Sequence, residues 1–135
     1  MHLYNFFNSS TSYRVRIALA LKGLDFQYHG VNIRIGEQAM ADHIHRNPSK
    51  GVPVLVTDDE QDLSQSMAII DYLENRHPNP PLLPTDQMER SRVLEVSNAI
   101  ACDMHPVNNL RILGYLQKEL GISDAQKSLV STLDR

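Results

Sequence analysis

The sequence contains no tryptophan and a single cysteine, Cys102. One thiol excludes an internal disulfide and a cysteine-rich zinc site, and it suits a reducing compartment. A small apolar residue at this place is expected to be buried. Long apolar runs are also missing. The longest, Ile17 to Leu21, falls far short of the roughly 20 residues that a membrane-spanning helix needs. The chain opens His2, Leu3, Tyr4, with no basic segment leading into an apolar one, so no signal peptide is expected and a cytoplasmic protein is. Positive charge is in slight deficit: 13 Lys and Arg against 16 Asp and Glu leave a net charge of −3. Neither nucleic acid nor an anionic membrane is therefore expected as the main partner. His43 and His45 are two apart and point in different directions on a helix, so no metal site is expected there and both are read as facing solvent. Repeats and low-complexity segments are absent.

What is present is an ordinary globular composition, with 41% hydrophobic and 21% charged residues in 135. One stretch organises the rest. Leu3, Tyr4, Asn5, Phe6 and Phe7 read as a strand, and Val15, Ile17, Ala18, Leu19 and Leu21 as the broad apolar stripe of a helix that Lys22 and Gly23 close. Between them stand Ser9, Ser10, Thr11 and Ser12. Hydroxyls at a helix N-terminus suit an anion, because unpaired N–H groups and the positive end of the dipole converge there. If the anion is a thiolate, lowering a thiol pKa of about 8.5 by roughly 1.5 to 2 units takes about 2 to 3 kcal/mol. The dipole supplies about 0.3 to 1 kcal/mol and a donated hydroxyl hydrogen bond about 1.5 to 3, so the two together suffice. Plain N-capping by Ser or Thr explains the same residues.

Further along, Phe26 to Ile33 alternates as a second strand, parallel to the first because a helix separates them. Glu37 to Arg46 reads as a short irregular helix with Met40 and Ile44 inward. Pro53 opens the strand Val52 to Val56, Thr57 to Glu60 turns, and Leu63 lies on an antiparallel partner. A third helix begins with Ser66 as its N-cap, carrying Ile69, Ile70 and Leu73 on one face and Asp71, Glu74 and Asn75 on another. Residues 77–86 hold Pro78, Pro80, Pro81 and Pro84, a stiff linker. The domains are accordingly set at 1–80, a linker at 81–86, and 87–135. The last part is read as helical, with Met88, Val93, Val96, Ala99 and Ile100 on one apolar face and a kink or stop at Pro106. Ile112, Leu113, Leu116 and Leu120 resume the pattern until Gly121, and a capping box from Ser123 to Gln126 opens a helix inside which the chain ends. That second domain is expected to be incomplete.

The strand, hydroxyl turn and Arg14, Val15, Arg16, Ile17, Ala18, Leu19, followed by Val52 and Pro53, Gln65 and Ser66, and Cys102 to Arg111, resemble the zeta class of glutathione transferases, and within it the bacterial maleylacetoacetate and maleylpyruvate isomerases. The resemblance implies an α/β thioredoxin-like N-terminal domain followed by an all-α domain. It implies glutathione as cofactor, held by Ser9, Thr11, Val52, Pro53, Gln65 and Ser66, with Pro53 cis and Gln65 and Ser66 at the γ-glutamyl carboxylate. Ser9, Ser10 and Thr11 would face the sulfur. The implied reaction is glutathione-dependent cis–trans isomerisation of a small keto acid in aromatic amino-acid catabolism, by a homodimer, with Arg14 and His105 also catalytic and Asn108, Asn109 and Arg111 binding substrate. Thr11 stands where the class pattern usually has cysteine, and Gly51 where many members have glutamine. General glutathione transfer and a non-catalytic thioredoxin-like binding module are the other functions compatible with these residues.

Overall fold

In the computed structural model, residues 1–107 and 109–126 are described. They fall into two units, Met1–Leu83 and Pro84–Arg135.

The first unit is a thioredoxin-like sheet with helices on both faces. Strand β1 (His2–Asn5) is followed by helix α1 (Ser10–Leu21) and strand β2 (Gln27–Gly30). β1 and β2 pair in parallel, Leu3 opposite Tyr28, with α1 as the crossover that a parallel pair needs. A 3-10 turn (Glu37–Ala39) and helix α2 (Ala41–Arg46) lead to strand β3 (Val54–Val56), then β4 (Asp62–Ser64) and helix α3 (Ser66–Arg76). The sheet order is β2-β1-β3-β4, with β3 antiparallel to both of its neighbours.

Alternation along β1 sends Leu3 and Asn5 inward and leaves His2 exposed. Leu3, Leu55, Val15, Ala18, Leu19, Ile69 and Leu73 make the core between the sheet, α1 and α3, each fully buried large side chain contributing about 1.5–3 kcal/mol. On the other face, Arg46 of α2 lies over the Tyr4 ring, 4.6 Å from its centroid, and pairs with Asp62 at 3.1 Å.

Several expectations need correction. Ile17 and Leu21 are exposed, so the buried stripe of α1 is narrower than the run of apolar letters. Met40 is exposed as well, and its extended backbone precedes α2. His43 rather than Met40 is the inward residue of that segment, buried by its hydrogen bond to the Gly51 carbonyl. The cap of α3 is Gln65, and Ser66 is its first helical residue. Glu74, on the face opposite the apolar one, is nonetheless buried, with Lys22 and two backbone N–H groups satisfying its carboxylate.

The second unit is helical among its described residues: α4 (Gln87–Asn98), a π-helical segment (Ala99–Met104), α5 (His105–Val107) and α6 (Leu110–Glu119). Pro106 lies in α5, just beyond the π segment, where its missing N–H cannot continue an α ladder. Met88, Val93, Val96 and Ile100 are exposed, since nothing among the described residues covers that face, and Cys102 is exposed rather than buried. Leu113 is buried. Ser123 and Gln126 make both bonds of the capping box, at 2.8 and 3.3 Å, while the helix expected beyond them and Asn108 lie outside the described residues. No helix among the described residues is long and apolar enough to cross a membrane.

Candidate functional site

The β1–α1 turn is held by the side chains that compose it. Ser9 caps α1, its Oγ accepting from the Ser12 N–H at 3.2 Å. Thr11 Oγ1 donates to the Val52 carbonyl at 3.0 Å and lies 2.8 Å from Ser9 Oγ. A carbonyl only accepts, so the single Thr11 hydrogen goes to Val52 and the Ser9 hydroxyl must donate to Thr11. The hydrogens thus run in one direction, from Ser9 through Thr11 to Val52. The capping expectation holds for Ser9, and a bound anion would draw a hydroxyl hydrogen from Ser9 or Thr11 only by breaking this chain. Ser12 is buried and accepts from the Phe6 N–H at 3.4 Å.

Arg16 grips the same turn. Its Nη1 donates to Asn5 Oδ1 at 2.6 Å and to Phe6 O at 3.3 Å, and its Nη2 to Phe7 O at 2.9 Å. Phe6 O also accepts from the Ser9 N–H at 3.1 Å. The cap residue is therefore fixed through the arginine's own acceptor. Arg14 is half-buried on α1.

The Val52–Pro53 peptide bond is cis. Register brings the start of α3 beside it, because Val54 pairs with Ser64, directly ahead of Gln65 and Ser66. Ser66 is buried, and Gln65 has φ 70°, a left-handed conformation that an L side chain adopts at a cost of about 1–3 kcal/mol. Lys50, on the other flank, has φ 57°. Ser9, Thr11, Val52, Pro53, Gln65 and Ser66 thus belong to one region of the first unit, where two helix N-termini, those of α1 and the 11-residue α3, adjoin one cis-proline loop.

Ser10 is the first residue of α1, and the remaining named residues belong to the second unit. His105 is half-buried at the start of α5. Asn109 caps α6, its Oδ1 accepting from the Arg111 N–H at 3.0 Å, and Arg111 is exposed. Sequence reasoning missed His43 and Asn47, both buried and both bonded to the Gly51 carbonyl, at 2.8 and 2.9 Å. The one signal for Asn47 was its place before Pro48 at a helix end; for His43 there was none. Among the described residues no group of three or more His, Cys, Asp or Glu is arranged to hold a metal.

The chain is 45% identical over 128 residues to a probable maleylacetoacetate isomerase of Vibrio cholerae, covering 93% of this chain and 59% of that protein. It is 46% identical over 125 residues to a maleylpyruvate isomerase of Ralstonia, covering 93% and 58%. Among solved structures, a holo maleylpyruvate isomerase described as a bacterial zeta-class glutathione S-transferase superposes with a TM-score of 0.93 at 43% identity, over 97% of this chain and 61% of that one. A maleylacetoacetate isomerase from Methylobacterium extorquens AM1, solved with malonate and GSH, also gives 0.93, at 33% identity with the same coverage. The chain spans about three fifths of the length of these relatives. Residues 1–75, the whole of the sheet and nearly all of α3, match the glutathione S-transferase N-terminal domain, and with that match the chain belongs to the glutathione S-transferase family.

Proposed function

We propose that this chain belongs to a zeta-class, glutathione-dependent cis–trans isomerase that converts maleylacetoacetate to fumarylacetoacetate in tyrosine and phenylalanine catabolism. The observation that carries the reading is the 3.0 Å bond from Thr11 Oγ1 to Val52 O, which ties the hydroxyl turn to the cis-proline loop and so joins a place for a sulfur to a place for a peptide backbone. Glutathione fits these residues: it is a peptide with a thiol at its centre and a carboxylate at its γ-glutamyl end, and α3 offers N–H groups and a positive dipole end beside Gln65 and Ser66.

The chemistry supplied by bound glutathione is reversible thiolate addition to a double bond conjugated to a carbonyl, which permits rotation and then release of the trans isomer. Residues of the chain do the rest. The N-terminus of α1 lowers the cost of a negative sulfur beside Ser9, Ser10 and Thr11. Val52 and Pro53 align the peptide, and Gln65 and Ser66 take the γ-glutamyl carboxylate. Arg14 and Arg111 would suit the substrate's carboxylates bidentately, Asn108 and Asn109 would donate without adding charge, and His105 would give or take a proton at the substrate's carbonyl oxygen. The reading includes a cytoplasmic homodimer.

The test is an isomerisation assay on the chain with maleylacetoacetate and with maleylpyruvate, with and without glutathione. Turnover that needs glutathione and falls at least tenfold in a Ser9→Ala, Thr11→Ala double variant is expected, roughly the loss of one charge-assisted hydrogen bond, made when the Ser9 hydroxyl turns from Thr11 to the sulfur while Thr11 stays on Val52. Preference for maleylpyruvate would move the reading to the isomerase of gentisate degradation. Activity on haloaromatic electrophiles alone would make the protein a general transferase, and folded protein that neither binds glutathione nor turns over would make it a binding module.

A further inference from the structure

The cis-proline loop is anchored from a side that the sequence reading gave to solvent. His43 Nε2 lies 2.8 Å from the Gly51 carbonyl oxygen, and since that oxygen can only accept, Nε2 carries the ring hydrogen. Asn47 Nδ2 donates to the same oxygen at 2.9 Å. The two donors use both lone pairs of one carbonyl. Asn47 is itself held, its Oδ1 accepting from Ser49 N–H and Ser49 Oγ at 3.1 and 2.8 Å and its backbone N–H bonded to His43 O at 2.8 Å.

The consequence falls on Val52. The Gly51–Val52 peptide is planar and trans, so fixing the direction of Gly51 C=O fixes the opposite direction for the Val52 N–H. The next carbonyl, Val52 O, is taken by Thr11. Both peptide units of Val52 are thus set by side chains, the first from the α2 segment and the second from α1. From this geometry we infer that His43 is a positioning residue, which acts through the Gly51 carbonyl to aim the Val52 N–H at the peptide backbone of bound glutathione. The inference rests on the glutathione reading of the site and adds to it a residue that touches neither cofactor nor substrate.

Calorimetric titration of the full chain with glutathione tests it, using the wild type, His43→Phe, which keeps a ring but removes the donor, and His43→Gln, which returns an amide donor. If loss of the anchor leaves about a tenth of the molecules with the loop set for binding, Kd rises about tenfold. His43→Phe should show that rise, His43→Gln should recover most of it, and at saturating glutathione the ultraviolet absorbance of the bound thiolate should match the wild type in both. A role confined to stability would lower the melting temperature of His43→Phe and leave the Kd of the folded protein where it was, and that result overturns the inference. Equal weakening in the Phe and Gln variants overturns it too, because the donor would not matter. His43→Leu provides the same comparison should the larger ring not be accommodated. A wild type that takes up no glutathione defeats the reading of the site itself, and is told apart from the other outcomes by the wild-type titration alone.

Discussion

The Lys22 ammonium meets the Glu74 carboxylate at 2.7 Å inside the first unit, with the lysine side chain wholly excluded from solvent. The same Nζ donates to the carbonyls of His77 and Pro80, at 2.6 and 3.0 Å, so all three of its hydrogens are used. Glu74 in turn accepts from the Leu82 and Leu83 N–H groups. A proline-rich segment that has few hydrogen bonds of its own is pinned to α1 and α3 by one ion pair.

Removing one member of a buried pair leaves the other charge unmatched, at a cost of about 3–5 kcal/mol. Lys22→Met should lower the free energy of unfolding in urea by that amount, and the Lys22→Met, Glu74→Gln double variant should lose less than Lys22→Met alone. A single variant as stable as the wild type would show that the pair is not holding the segment.

Burial pushes the Glu74 carboxyl up, but the hydrogen bonds from Lys22, Leu82 and Leu83 and the lysine's charge outweigh it and hold the group below its ordinary value of 4.5. A depressed carboxyl stabilises the fold fully above the unfolded value and loses that contribution as pH falls through the folded one. The wild type should therefore lose stability below about pH 4.5, and Glu74→Gln should be less stable at neutral pH yet decline less steeply. A Gln variant whose stability follows the wild-type pH profile would contradict this.

His29 stacks on Tyr4 at 4.5 Å, and its Nε2 lies 3.0 Å from His2 Nδ1. Burial, then the nearby charges of His2 and Arg46, lower its pKa from 6.5. Its neutral form is the one that folding favours, so this contribution too is present above 6.5 and lost as pH falls. NMR titration of the ring protons should give a midpoint below 6.5 for His29, and in His2→Ala the midpoint should rise toward it. An unchanged midpoint in that variant would remove His2 from the account.

Arg16 reaches three acceptors, on Asn5, Phe6 and Phe7. Lysine offers a single ammonium and cannot span that fork. Arg16→Lys should cost about 1–3 kcal/mol in urea unfolding, as charged hydrogen bonds do when lost. Full stability in the lysine variant would mean that positive charge, and not the shape of the guanidinium, secures the turn.

What could be read in advance was what depends on near neighbours in sequence. The stops at Gly23 and Gly121 have φ 64° and 65°, values that favour glycine, and the Ser123–Gln126 capping box spans four residues. The antiparallel pairing of β3 with β4 follows from a short turn. Polar residues that become buried were not legible, because their partners lie far along the chain. Lys22 binds carbonyls 55 and 58 residues away, and no local pattern separates it from an ordinary last-turn lysine. In His43 the determining neighbour is a backbone carbonyl, which has no letter of its own. The glutathione roles proposed for residues of the first unit come from resemblance, since their spacing alone is equally that of a capped helix and a proline-led strand.

The π-helical segment from Ala99 to Met104 acts as a phase shifter. Each of its turns holds more residues than an α turn, with bonds closed five residues apart in place of four. Side chains beyond Met104 therefore emerge rotated from where a wheel drawn on α4 would put them, and His105 is the first to be displaced. Deleting one residue within the segment would let the ladder close in α register, swinging everything downstream to a new bearing while changing none of its chemistry. The direction in which the later residues point is thus stored in a local surplus of chain, and a length change of one there is a larger perturbation than most substitutions.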